Sequence, residues 1–317
     1  MREDSLPVLV AGTTHPSLGR DVAARLGVPL CPVRFTRFSN ENLKVVIEGA
    51  VRDRDVFVLQ TSCPPVNESL METLILLDAL RTAGAGRVTA VLPYFPYSRS
   101  DKLDEPGVSI TARLVADLLV SAGAGRILTL DLHAPQIHGF FRVPMDHITA
   151  IPTLCASLAT EASAPRVVVA TDIGEAKDAG RFAARLGVPL AVIDKRRTDD
   201  SEHAVPHTLV GDVAGRHALI VDDEIATGGT ILEAAEMVLR MGAASVEAAV
   251  VHPVLSGNVM QRLRASPLRR LRVTNTIPLR PECVDDRIEV VDIAPLIADS
   301  IGRIHKGERL DDVASRR

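Results

Sequence analysis

Tryptophan is absent from this 317-residue chain, and Phe and Tyr number only seven and two. The hydrophobic content of 46% is ample for a core, so Val, Leu, Ile and Ala must fill it. That favours layered β and α structure over an aromatic-rich sandwich. It also removes base stacking on aromatic platforms as a binding mode. Excess positive charge is missing too. A net charge of −4 argues against a nucleic-acid or other polyanion partner, so any anion site must be local. The cysteines, Cys31, Cys63, Cys155 and Cys283, lie far apart without a C-x-x-C, which excludes the usual zinc spacings. Buried free thiols in a reducing cytosol are the expectation. Met1-Arg-Glu-Asp-Ser5 does not open a signal peptide, and no apolar run approaches the length of a membrane span. The sequence reads as a cytoplasmic protein without a membrane partner, built from one large or two ordinary α/β domains.

Short apolar runs alternate with amphipathic stretches. Strands are expected at Val8–Ala11, Val56–Leu59, Val88–Leu92, Ile127–Leu130, Val167–Ala170, Leu190–Ile193, Ala218–Val221, Val246–Val251 and Leu271–Val273. Most are continuous rather than alternating, the pattern of a sheet covered on both faces. Helices are expected between them, at Ser69–Thr82, Ile110–Ser121, Ala176–Leu186 and Ile231–Met241. This is the parallel α/β signature. Ala83-Gly-Ala-Gly-Arg-Val and Ala122-Gly-Ala-Gly-Arg-Ile are nearly identical, and Met241-Gly-Ala-Ala-Ser-Val is a third copy. Their glycines follow helices and act as stops. They are not the strand-to-helix glycines of a dinucleotide fold, and no Walker P-loop is present. The chain reads as two similar α/β halves meeting near Ile148–Pro152.

Polar clusters follow several strands: Asp131-Leu-His133, Thr171-Asp172, Asp194-Lys195-Arg196-Arg197 and Asp222-Asp223. Ligands of open parallel sheets bind at that edge. The last cluster leads into Glu-Ile-Ala226-Thr227-Gly228-Gly229-Thr230 and then a helix. A helix start presents N–H groups and a positive dipole end to a phosphate, and the glycines let the backbone close around it. Two acids would repel that phosphate, so they suit sugar hydroxyls or magnesium. Together these features point to a sugar phosphate. Asp172 is equally a candidate N-cap for the helix after it, and His133 stands between a functional and a satisfied histidine. Lys195, Arg196 and Arg197 read either as a solvated turn or as a basic tip able to meet developing negative charge. In the first half, Arg99 and Lys102 suit polyphosphate. Phe38-Ser-Asn40-Glu-Asn42 offers an aromatic and amides to a purine, although a core Phe is the commoner reading.

These residues together resemble the ribose-phosphate pyrophosphokinase family, whose members make phosphoribosyl pyrophosphate. The likeness also takes in Gln60-Thr-Ser-Cys-Pro-Pro-Val-Asn-Glu68, Ile110-Thr-Ala-Arg-Leu-Val-Ala-Asp-Leu, Gln136-Ile-His-Gly-Phe-Phe141, Val254-Leu-Ser-Gly257, Thr274-Asn-Thr-Ile-Pro278 and Ala294-Pro-Leu through Ile304-His305. It implies two phosphoribosyltransferase-like domains, 1–149 and 150–292, each a mostly parallel sheet flanked by helices. It further implies that 293–317 packs back on the first domain. The implied reaction moves the diphosphoryl group of ATP to the C1 hydroxyl of ribose 5-phosphate, with Mg²⁺ required and AMP released. By the same resemblance, Lys195 and Arg197 are catalytic. Phe38, Asn40, Asn42, Arg99, Ser100, Asp101 and His133 bind ATP. Asp222, Asp223, Ala226, Thr227, Gly228, Gly229 and Thr230 hold ribose 5-phosphate, while His133 and Asp172 are associated with the metal. A homo-oligomer is implied, a hexamer built from dimers, with ATP between subunits.

The chain departs from the family pattern at Ala226, where many members carry Asp. It departs also at Glu224, Ser100, Asn42 and Glu175, where an apolar residue, Gln, Glu and Gly are usual. Two competing readings follow, a phosphoribosyltransferase and a catalytically weak homologue that regulates an active partner.

Overall fold

Runs of β-branched residues make the strands of this protein, and glycine stops end many of its helices. A computed structural model describes residues 6–159, 166–194 and 208–310. The chain divides into two units, each with its own sheet. The first runs to Thr149 and also takes in Thr276–Pro278 and the segment from Ile293. The second holds Ala150–Asn275 and Leu279–Asp292.

In the first unit the order is β1 (Val8–Ala11), α1 (Pro16–Leu26), β2 (Val33–Arg37), β3 (Leu43–Ile47), β4 (Asp55–Leu59), α2 (Val66–Thr82), β5 (Arg87–Leu92), α3 (Thr111–Ala122), β6 (Arg126–Leu130) and β7 (Met145–Ile148). Its main sheet is β1-β4-β5-β6-β7, parallel throughout. Burial of Val10, Val58 and Ala90 against Leu76, Leu80 and Leu119 builds the core beneath α2 and α3. The glycines of the repeated Ala-Gly-Ala-Gly segment do stop helices, with Gly84 at φ +81° after α2 and Gly123 at φ +122° after α3.

The second unit continues with α4 (Ile151–Ala159), β8 (Arg166–Ala170), α5 (Ala176–Leu186), β9 (Leu190–Asp194), β10 (Thr208–Val210), β11 (His217–Ile225), α6 (Gly229–Arg240), β12 (Ser245–Pro253), α7 (Val259–Ala265), β13 (Leu271–Thr274) and β14 (Ile288–Val291). Its sheet order is β10-β9-β8-β11-β12-β13-β14. Only β10 runs antiparallel, against β9. From β8 the chain moves outward to β9 in one direction, and β11 lies on the other side. The boundary between β8 and β11 is therefore a topological switch point, where α/β sheets open a crevice. Among the described residues, no helix is long and apolar enough to cross a membrane.

Several expectations need correction. β11 does not stop at Val221 but continues through Asp222 and Asp223 to Ile225. Its pairing with β8 ends at Val221, while β12 follows it to Ile225. The acids are thus still strand residues, projecting beyond the end of β8. The β2–β3 hairpin, β7, β10 and β14 were not expected as strands, and each is short, half-exposed or antiparallel. All four cysteines are free, but Cys31 and Cys63 are only half-buried.

The last helix, α8 (Ala294–Lys306), packs on α1 within the first unit. Its anchor is Asp55, whose side chain is 1% exposed. Asp55 accepts a bond from Arg87 Nε at 2.7 Å and lies 2.7 Å from His305 Nδ1. Arg87 also donates to the Ile304 carbonyl at 3.3 Å. Removing one member of such a cluster leaves buried charge uncompensated. Asp55→Asn is therefore expected to accelerate amide exchange along α8 about thirtyfold, equivalent to about 2 kcal/mol, with the second unit unaffected. Unchanged exchange in α8 would show that the cluster does not hold the helix.

Candidate active site

The acids of β11 are built into the switch point by short local bonds. Asp222 Oδ1 accepts the Asp223 amide at 2.9 Å, and Asp223 Oδ1 accepts the Glu224 amide at 2.7 Å. The hydroxyl of fully buried Thr171, just past β8, donates to Asp222 Oδ2 at 3.2 Å. Burial pushes the Asp222 carboxyl well above the ordinary carboxylate range. The charge of Asp223 and its hydrogen bond, and then the charge of Glu175, push in the same direction; the Thr171 hydroxyl opposes them. Asp172 caps the turn into α5, since its Oδ1 accepts the Glu175 amide at 3.0 Å. It is not the helix N-cap that the sequence suggested: that position belongs to Glu175, and no side chain caps α5. Oxygen-only donors of this kind suit a hard octahedral cation such as Mg²⁺.

The loop after β11 keeps its predicted form. Gly228 takes φ +75°, and a Cβ there would sit 2.9 Å from Val259 Cγ2, so glycine is required on both counts. α6 starts at Gly229, two residues earlier than the periodicity suggests, and no side chain caps it. Its first amides therefore have no side-chain cap, which is the form of a helix start able to take an anion. The Leu255 amide donates to the Ile225 carbonyl at 2.9 Å and the Ser256 amide to Ala226 at 3.0 Å, fixing the loop. Arg262 of α7 donates to the Thr227 carbonyl at 3.1 Å. A Cβ on Gly229 would lie 3.8 Å from the same guanidinium nitrogen. The sequence reading missed this cation, because nothing in its local pattern separates it from an ordinary helix-surface Arg.

Lys195 and Arg197 lie outside the described residues. Asp194, just before them, ends β9 and pairs with Thr208 of β10.

In the first unit, candidate residues gather after two adjacent strands. Tyr97, after β5, takes φ +57°, and Asp131, after β6, takes φ +32°. Left-handed backbone at non-glycine positions is strained and clusters at functional sites. Arg99 and His133 are exposed on these turns. Buried Asp101 accepts a short bond from Gln136, which ties the two turns together. Ser100 is engaged locally: its hydroxyl donates to the Ser109 carbonyl at 3.0 Å and lies 3.3 Å from Thr111 Oγ1 at the start of α3. Phe38, Asn40 and Asn42 sit elsewhere, at the exposed tip of the separate β2–β3 sheet. Phe38 is 49% exposed, so the core-Phe reading is wrong: the residue sits at a hairpin turn, where the Phe38 amide bonds to the Asn42 carbonyl.

The chain is similar to known proteins over most of its length. Residues 7–123 match the family model for the N-terminal domain of ribose phosphate pyrophosphokinase. Residues 199–314 match that for a phosphoribosyl synthetase-associated domain. The ribose-phosphate pyrophosphokinase of Clostridium acetobutylicum is 44% identical over 300 residues, 94% of each chain. That of Deinococcus radiodurans is 43% identical over 307 residues, covering 95% of this chain and 96% of its own. The crystal structure of phosphoribosylpyrophosphate synthetase from Mycobacterium smegmatis is similar with a TM-score of 0.90 at 40% identity, over 96% of this chain and 100% of that one. The expected α/β fold class is borne out.

The raised proton affinity of Asp222 has a measurable consequence. Between the ordinary carboxylate pKa and the raised one, the native chain holds a proton that the unfolded chain has lost. This group's contribution to stability is full below the ordinary value and is lost as pH rises through the raised one. Asp222→Asn is neutral throughout and lacks that loss. Its melting temperature should exceed the wild-type value at about pH 8, with the gap closing toward about pH 4. A gap independent of pH would contradict this.

Proposed function

Because the chain belongs to the ribose-phosphate pyrophosphokinase family, we propose that it transfers the diphosphoryl group of ATP to the C1 hydroxyl of ribose 5-phosphate, giving 5-phosphoribosyl 1-pyrophosphate and AMP. The observation that carries this for the chain's own residues is the juxtaposition at the switch point of the second unit. An uncapped, glycine-opened helix start follows directly on a pair of acids. In this reading the 5-phosphate rests on the amides of Ala226, Thr227, Gly228, Gly229 and Thr230, supported by Arg262. Asp222 and Asp223 accept bonds from the ribose hydroxyls. Arg99, Ser100, Asp101 and His133 of the first unit engage ATP, as do Phe38, Asn40 and Asn42 at the hairpin tip.

The C1 hydroxyl oxygen forms a bond to the β-phosphorus and gives up its proton to solvent, and the bond from that phosphorus to the α–β bridging oxygen breaks. AMP leaves with the electron pair on its phosphate. Charge grows on the bridging and nonbridging oxygens, where Lys195 and Arg197 meet it. Mg²⁺, with which the family resemblance associates His133 and Asp172, would supply Lewis-acid neutralisation of the polyphosphate. The acid cluster fits such a cation, since the mutual repulsion of its carboxylates is relieved by a divalent positive charge. The proposal extends to a homo-oligomer, a hexamer built from dimers with ATP between subunits, in the cytoplasm. Exposed Leu114 and Leu118, one turn apart on α3, suit an interface between copies.

Phosphorus NMR of the protein with ATP, Mg²⁺ and ribose 5-phosphate tests the reaction. AMP and a C1 pyrophosphate are expected in equal amounts; ADP with a ribose bisphosphate would overturn the assignment. Lys195→Ala and Arg197→Ala are each expected to lower kcat about 10²–10³-fold with KM little changed. Turnover near the wild-type rate in both would make the basic segment a bystander.

A further inference from the structure

The turn that presents His133 is held from the neighbouring strand. β6 ends at Leu130, and the left-handed Asp131 then swings the chain out of the sheet. The Asp131 amide still reaches the Ile148 carbonyl, at 3.1 Å. The next amide, that of buried Leu132, has left the ladder. A buried N–H without an acceptor is strongly disfavoured. Here the acceptor is a side chain: the Leu132 amide donates to His147 Nε2 at 2.8 Å.

His147 lies on β7 opposite Thr129 of β6, so its ring reaches past the end of the ladder to the turn. A backbone amide can only donate, so Nε2 is the unprotonated nitrogen of that ring. The other flank of the same turn is fixed independently, where Gln136 donates to Asp101. Between these two fixed points stands His133, exposed and one residue beyond the amide that His147 holds.

We propose that His147 is a positioning residue which, by accepting the Leu132 amide, fixes the direction in which His133 faces the nucleotide. This rests on the assignment of His133 to ATP binding made above. His147 acts through the backbone of the turn and does not itself need to touch ATP. What matters is an acceptor at the Nε2 position, and a glutamine carbonyl oxygen reaches a similar point.

Calorimetry with magnesium ATP tests this on the full-length chain. His147→Ala should weaken ATP binding about tenfold, the worth of one well-placed contact from His133. His147→Gln should stay within about threefold of wild type, because it restores the acceptor. Ribose 5-phosphate affinity should be unchanged in both. In a His133→Ala background, His147→Ala should cost nothing further, as a double-mutant cycle requires of a residue acting through another. If His147→Ala does not fold, His147→Phe supplies a ring of similar shape without the acceptor. The proposal is overturned if the acceptor-free variant binds ATP normally, if Gln is no better than Ala, or if the His147 effect persists without His133. His133→Ala with unchanged ATP affinity would instead sink the assignment of His133 on which the inference rests.

Discussion

Carboxylates of like charge, held side by side where a buried parallel strand ends, are the constraint that organises the second unit. Asp222 cannot escape its neighbours, because the amides of Asp223 and Glu224 bind the side chains just before them. β11 is locked to β12 through Ile225. Burial first, and then this repulsion, raise the proton affinity of Asp222. Such an arrangement is costly unless a ligand or cation relieves it. Immediately beyond it stands a helix start with no side-chain cap. Acids suited to hydroxyls and magnesium lie beside amides suited to phosphate, which is the chemistry of a phosphorylated sugar.

The first unit meets a different demand with the same scaffold. Its strand ends carry backbone strain rather than paired acids, at Tyr97 and Asp131. The strained turns are braced by Asp101 with Gln136 and by His147 with the Leu132 amide. Two sheets of one class thus present unlike edges. This is the division of labour expected of an enzyme that brings a nucleotide donor to a sugar acceptor.

Much of this was legible in the residues, because the strands are continuous apolar runs and the glycine stops repeat. The glycine turn after β11 was legible too, since Gly228 takes a left-handed backbone where a Cβ would meet Val259. Other parts were not. The extension of β11 through its acids depends on the length of β12, a partner set by tertiary pairing and not by local pattern. The β2–β3 hairpin is half-exposed, so it lacks the apolar run that marks the buried strands. The ties of the Ser100 hydroxyl to the Ser109 carbonyl and to Thr111 Oγ1 close a turn that its local sequence does not announce. Arg262 and His147 act through the main chain of distant turns, and no spacing rule reveals such contacts.

The account stands most directly on Asp223, where the proposed sugar site meets the acid pair. Calorimetric titration of Asp223→Asn with ribose 5-phosphate and, separately, with ATP measures it. Losing one charge and one acceptor should weaken ribose 5-phosphate binding about tenfold to a hundredfold while leaving ATP affinity nearly intact. Equal weakening toward both ligands, or none toward the sugar phosphate, would contradict the placement of the sugar at this strand end.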